Sequence, residues 1–544
     1  MMRKLICFAL FYVLAYSASA QERSFGTLPL VRKPGASISS SGKKIDSVQY
    51  KKVVGIYNRL VQARGDFRYP VPSFSISPEE RRVAGIDYDQ LSIVIEEKAL
   101  SVCNSLGSNA DAAIAFLLGH ELTHYYEKHA WRTGFAADYK DLKIGIQLDN
   151  LADDASNETE ADYLGGFLAY SAGYGMFQKG PEIIQSLYKA YGLKNDIQGY
   201  PSLSDRQALS RRSAEKLARL TEAYDMANIL TAIGKYTEAY EYYRYILMEY
   251  QSREIYNNLG VTACLDALQY FKPNELKYHY PIELDLESSA AKGDGLANAR
   301  DQLLRQAILH FDAAISLDPN YAPAYLNKAN AYALLGDLNR ARFYANVEAR
   351  QAAKVGGYPK TNTDIDVLMG IIEARSNSAD KAKAFFKAAE TAGSAAAKIN
   401  SRILLKQAPA AAAAPPMTLA KIERIDSLSL ADISKDPSFD NKRTVDISSK
   451  LRFLQNPQIG KSSLLFISQN TRSDERTYVH ITSPNYPGKT ARNIGLGDVR
   501  SSIVSAYGQP ERDVETPQGQ IMVYKSILFV LGTDGKLQRW ANFL

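Results

Sequence analysis

Gly119-His120-Glu121-Leu122-Thr123-His124 is the stretch on which the rest of the chain turns. In a helix, residues i and i+4 share a face, so His120 and His124 can hold one metal ion while Glu121 lies a fraction of a turn away. Two imidazole ligands, a third protein ligand and an open fourth position define a hydrolytic zinc site, and the glutamate is placed to deprotonate a water. A solvated helix face with two chance histidines is the plain alternative. The flanking pattern favours a buried helix from about residue 109 to 129. Ser108 and Asp111 form a capping pair, and Ala113, Phe116 and Leu117 extend the apolar stripe that ends at the histidines. Gly119 lets another backbone approach closely.

The third ligand must come from another element. Of the six histidines, His129 is expected to point to a different side of the same helix, while His279, His310 and His480 fall in other predicted domains, which favours a carboxylate. In Glu158-Thr159-Glu160-Ala161-Asp162, Glu158 and Asp162 stand four apart on one helical face. One can bind metal while the other accepts a hydrogen bond from a ligand imidazole. An acidic first turn of a helix, favoured by the macrodipole, explains the same residues without a metal.

Together with Ala172-Gly173-Tyr174, these two motifs make residues 46 to 215 resemble the gluzincin peptidases that include the CAAX prenyl protease, HtpX and the periplasmic β-barrel-assembly-enhancing protease. The resemblance implies a zincin fold, Glu158 as third zinc ligand, Asp162 as its supporting partner, and misassembled envelope proteins as substrates. The chain departs from the family at Tyr200-Pro201, where relatives with a periplasmic plan usually carry His-Pro; Arg206 matches the arginine that follows. A phenol is a neutral donor, so Tyr200 is expected to stabilise an oxyanion in the transition state and not to close the zinc; simple packing beside Pro201 is the plain alternative.

Residues 1–20 combine Arg3 and Lys4, an apolar run and Ala18-Ser19-Ala20, which reads as a secretory signal peptide and predicts a periplasmic or extracellular protein. Removing Arg3 and Lys4 lowers the formal net charge from +6 to +4, which gives no reason to propose nucleic acid as a partner. No run is long and apolar enough for a transmembrane helix. A disulfide between Cys103 and Cys264 competes with two separate buried thiols, which their different predicted domains favour.

Residues 21–45 read as a flexible leader, and residues 46–215 as a mainly α zincin-type metallopeptidase domain with a small β-sheet. Residues 216–405 read as an α-solenoid of tetratricopeptide-like repeats, 406–417 as an Ala/Pro linker and 418–544 as a C-terminal α/β accessory module. Gly234, Ala239 and Tyr243 fit the repeat's turn, small packing residue and aromatic, and Gly336 and Ala341 recur at a whole number of repeat periods. Ala307, Phe311, Ala314 and Pro319 fit a further copy, as do Gly370, Ala382, Phe386 and Ala389, while residues 272–295 break the register as an insertion. Such arrays present a concave surface to peptides or protein partners; a plain helical spacer is the alternative.

The expected function is zinc-dependent endopeptidase action on unfolded polypeptides. Glu121 is then the general base, His120, His124 and Glu158 bind Zn2+, and Leu91–Ile95 offers a strand edge to substrate. The competing class is a repeat-based chaperone or scaffold with a little-used zinc site.

Overall fold

The computed structural model describes residues 47–81, 83–88, 90–129, 154–174, 180–195, 202–272, 275–282, 297–407, 422–439, 443–456, 459, 462–516, 519–532 and 534–544. The predicted signal peptide and leader, Tyr200 with Pro201, and most of the predicted Ala/Pro linker lie outside the described residues.

The first unit starts with helix α1 (Ser47–Arg64) and strands β1 (Ser73–Ser77), β2 (Ala84–Asp87) and β3 (Ser92–Glu96). It continues with α2 (Glu97–Asn104), α3 (Ala110–Tyr126), α4 (Asp154–Ala169) and α5 (Gly180–Tyr191). The sheet has the order β1-β3-β2, with β3 parallel to β1 and antiparallel to β2. This corrects the expectation for Leu91–Ile95. Ile93 and Ile95 are fully buried and β3 uses both of its hydrogen-bonding edges, so the strand is central. The edge beside α3 belongs to β2, with which no further strand pairs among the described residues.

Two glycines set the crossing of α3 and α4. A Cβ on Gly119 would lie 2.6 Å from the Gly165 carbonyl oxygen, and one on Gly165 would lie 2.6 Å from the His120 nitrogen. Backbone therefore meets backbone at the first metal-motif histidine, and the preceding turns of α4 carry Asp162 and Glu158 over the same face of α3.

Helix α6 (Leu203–Ala232) runs about 45 Å at 1.5 Å per residue and passes through the predicted join at residues 215/216. Ser202 caps it by accepting from the Asp205 N–H at 3.2 Å. It packs on α4 and α5 and also on α7 (Tyr236–Glu249), so one helix is shared by the first unit and the repeats. The array continues with α8 (Arg253–Leu268), α9 (Ala297–Leu317) and α10 (Ala322–Leu334). Next come α11, in three consecutive stretches Leu338–Phe343, Tyr344–Ala349 and Arg350–Gly356, then α12 (Pro359–Arg375), α13 (Ala379–Thr391) and α14 (Ala395–Leu404). The repeat residues read from sequence pack inward: Ala239, Tyr243, Phe311, Ala341, Ala382 and Phe386 are all fully buried. Gly260 of α8 faces the Phe311 ring as Gly370 of α12 faces Phe386, each ring carbon 2.4 Å from where a Cβ would sit. Among the described residues no helix is long and apolar enough to cross a membrane.

The C-terminal unit contains α15 (Leu430–Ile433), β4 (Arg443–Ser448), β5 (Leu451–Asn456), β6 (Ser463–Asn470), β7 (Arg476–Thr482) and α16 (Arg500–Tyr507). It ends with β8 (Arg512–Thr516), β9 (Gly519–Val523), β10 (Ile527–Gly532) and β11 (Leu537–Phe543). Two antiparallel meanders, β4–β7 and β8–β11, join through the β7/β11 pair into one eight-stranded sheet. The strands outweigh the short helices more than an α/β module would have them do. The expected Asp534-Gly535 turn sits between β10 and β11, and Gly508 ends α16 at φ 83°. Side chains alternate between two faces. Phe453, Phe466, Ile481 and Leu528 share one core with Leu220, Ala223 and Tyr242 of α6 and α7, while Phe529 and Trp540 face Ile503 and Tyr507 of α16. Cys103 and Cys264 are separate buried thiols; burial pushes the Cys103 thiol up to about 12.

Candidate metal centre

Among the described residues one group of side chains has ligand atoms close enough to hold a metal ion: His120, His124 and Glu158. The two Nε2 atoms are 3.0 Å apart. Glu158 Oε2 lies 3.5 Å from Nε2 of His120, and Oε1 lies 3.4 Å from Nε2 of His124. Metal–ligand bonds of about 2.0–2.1 Å at tetrahedral angles give ligand separations of about 3.3 Å, so the donor set fits zinc in size as well as type.

Each ligand is held from behind. His120 donates its Nδ1–H to Asp162 Oδ1 at 2.8 Å, which turns Nε2 toward Glu158. The Nδ1 atoms of His124 and His129 are 2.7 Å apart, and Nε2 of His129 lies 3.3 Å from Glu160 Oε2. With His124 Nε2 kept as a lone pair, its Nδ1–H donates to His129, which in turn donates to Glu160. Arg206, in the first turn of α6, donates to Glu158 Oε2 at 2.8 Å. The acidic string therefore splits its work by helical position: Glu158 and Asp162 face His120, and Glu160 faces His129.

His129 does not point away, as a helix running to residue 129 would require. Helix α3 ends at Tyr126, and Lys128 takes a left-handed φ of 57°, which folds His129 back against His124. The sequence signal is a third histidine five residues after the second, and the helix end decides its meaning. The partnership of Arg206 with Glu158 also escapes a sequence reading, because it joins residues on helices separated by a third. The capping pair at Ser108 and Asp111 is not made: Asn109 stands at the cap without a side-chain bond, and Asp111 pairs with Lys52 at 2.5 Å.

Burial works against a charge on Glu158, but hydrogen bonds from His120 and His124 and the nearby Arg206 hold its carboxyl far below the usual range. Burial also opposes a charge on His120, yet Asp162 and Glu158 outweigh it and raise the imidazole well above its ordinary value. Carboxylates that favour a proton here favour any cation. Glu121 differs, since desolvation raises its carboxyl against the opposing pull of His120 and His124. Tyr200 lies outside the described residues.

A tetratricopeptide-repeat family model matches residues 310–343, from within α9 through α10 to the start of α11. A search of characterised proteins returned no significant match.

Proposed function

We propose that this chain is a zinc-dependent endopeptidase acting on extended or unfolded polypeptides. The observation that carries this reading is the triangle of His120, His124 and Glu158 donor atoms at tetrahedral spacing, with each ligand steadied by its own partner. His120, His124 and Glu158 would hold the zinc, and the chemistry it would supply there is Lewis-acid polarisation of the peptide carbonyl and easier deprotonation of a water. Glu121 takes that proton and returns it to the leaving amine; its desolvated carboxyl is a better base than one in water. Asp162 and His129 fix the imidazoles, and Arg206 fixes the carboxylate. The edge of β2 beside α3, with which no further strand pairs among the described residues, offers an extended substrate a strand to join, a mode that reads main chain more than side chain. Such reading suits unfolded or misassembled proteins. The export signal read in residues 1–20 and the family resemblance favour substrates in the cell envelope.

The test is metal analysis and cleavage of unfolded casein by the purified exported form. Glu121→Gln keeps the shape and removes the base, so it should retain zinc and lose at least about a hundredfold in kcat. A variant that cleaves as fast as the parent refutes the role. A parent protein that binds no zinc and cleaves nothing leaves the chaperone or scaffold reading.

A further inference from the structure

The helix pair α8/α9 is interrupted by the insertion, and the insertion's residues 275–282, Glu275-Leu276-Lys277-Tyr278-His279-Tyr280-Pro281-Ile282, form neither helix nor strand. They cross the following helices α10, α12 and α14 as a strap. Side-chain amides hold its main chain. Asn400 of α14 donates Nδ2–H to the His279 carbonyl at 2.9 Å and accepts the His279 N–H on Oδ1 at 2.8 Å. Asn330 of α10 donates to the Pro281 carbonyl at 3.0 Å. Both asparagines are fully buried. The strap's side chains fill places between helices. Tyr280 packs against three apolar clusters of the array and accepts from Arg375 at 2.7 Å, the Tyr278 ring lies 6.3 Å from Phe386, and Ile282 joins the core around Leu334. Main-chain hydrogen bonds with pockets for alternate side chains are how an extended peptide ligand is bound.

The two asparagines differ in one respect. Asn400 uses both ends of its amide on one residue. Asn330 leaves Oδ1 buried without a partner, and the residue it faces is a proline, which has no N–H to give. Residues 279 and 281 are two apart, so a chain extended through both presents them to the same side; the strap itself is pinched there, its Ile282 N–H donating back to the Tyr280 carbonyl at 3.0 Å in a tight turn around Pro281. Any residue other than proline at the second place would complete the pair that Asn400 already makes.

We infer that this surface of the repeat array is a binding site for an extended polypeptide with aromatic residues at its first and third positions, a non-proline fourth and an aliphatic fifth. The strap is a built-in, imperfect occupant that such a segment displaces. An emptied groove would leave Asn330 and Asn400 buried and unsatisfied, so the strap leaves when another backbone takes its place. The site is separate from the metal centre and does not depend on the proposed hydrolysis.

The probe is a fluorescent synthetic peptide of residues 274–284 carrying Pro281→Ala, compared with the unsubstituted peptide. The full chain with Tyr278→Ser, Tyr280→Ser and Ile282→Ser should bind both, the Pro281→Ala peptide about two- to tenfold more tightly, as one added hydrogen bond allows. Adding Asn400→Ala should abolish binding. In the unaltered protein, excess Pro281→Ala peptide should speed hydrogen exchange at the His279 amide, a measurement that stands even where the strap variant fails to fold. Unchanged exchange at millimolar peptide overturns the inference. So does equal binding of the two peptides, or binding that survives Asn400→Ala.

Discussion

The crossing of α3 with α4 and the docking of the C-terminal sheet on α6 both bury acidic side chains between helix and neighbour, yet they treat those acids in opposite ways. At the crossing three carboxylates each have a close partner: Glu158 with Arg206, Asp162 with His120, Glu160 with His129. At the docking surface Glu222 and Asp225 stand one turn apart on α6. Asp225 receives Arg539 at 2.9 Å and the Tyr170 hydroxyl at 2.7 Å. Glu222 receives the neutral amide of Gln455, and its carboxyl is pushed up to about 7 by burial, with Arg443 and Arg539 opposing. Charges paired on all sides converge on one point and can hold a cation there. An acid buried beside another acid makes its contact sensitive to pH.

The comparison is broken most severely at the helix crossing. Gly165→Ala puts a Cβ 2.6 Å from the His120 nitrogen, which only movement of one backbone can relieve. Zinc affinity should fall by more than about a hundredfold, beyond what loss of one supporting partner causes. Gly166→Ala is the control. Its Cβ meets the end of the Leu217 side chain, also at 2.6 Å, which can turn away, so affinity should change little. Isothermal titration with zinc on both variants decides the matter, and equal losses would show that backbone contact is not what assembles the site.

A smaller effect separates the two imidazole supports. Asp162→Ala removes a carboxylate acceptor at 2.8 Å, whereas His129→Ala removes a ring that passes the contact on to Glu160 at 3.3 Å. Losses of about a hundredfold and about tenfold in zinc affinity are expected, the two ends of the usual range for such partners. If His129→Ala costs as much as Asp162→Ala, the relay to Glu160 matters more than direct charge.

Much of the site is legible in the sequence because local periodicity carries it. The spacing of His120 and His124 needs only a helix, the spacing of Glu158 and Asp162 needs only another, and Gly119 announces a close backbone neighbour. What stays hidden is nonlocal. An apolar run such as Leu91–Ile95 declares a strand but not its neighbours, so β3 reads as an edge when it is the middle. His129 depends on one left-handed residue, Lys128, beyond the early end of the helix. The repeats are readable from Gly234 and Gly336, which take the left-handed turn between paired helices at φ 82° and 87°, and from the small, fully buried Ala239. The strap is not, because amides of Asn330 and Asn400 recognise main chain that carries no sequence signature. Nor does the composition of residues 418–544 reveal that one face of their sheet completes the core of α6 and α7.

The mildest test lies at that shared core. A carboxyl near 4.5 in the unfolded chain and near 7 in the fold binds more protons folded than unfolded between those values. The contribution of Glu222 to stability is therefore full below about pH 4.5 and is lost as pH rises through 7. The penalty at pH 8 is at most about 3.5 kcal/mol, since each pH unit between the two values is worth roughly 1.4 kcal/mol. Glu222→Gln keeps an acceptor for the Gln455 amide and cannot ionise. It should match the parent in thermal unfolding at pH 4.5 and exceed it by a few degrees at pH 8, with the gap opening between. Unfolding followed by Trp540 fluorescence is suited to this, since that ring is buried in the sheet's other core. A gap that is the same at both pH values would mean that the substitution changes packing and that Glu222 carries no ionisation across the interface.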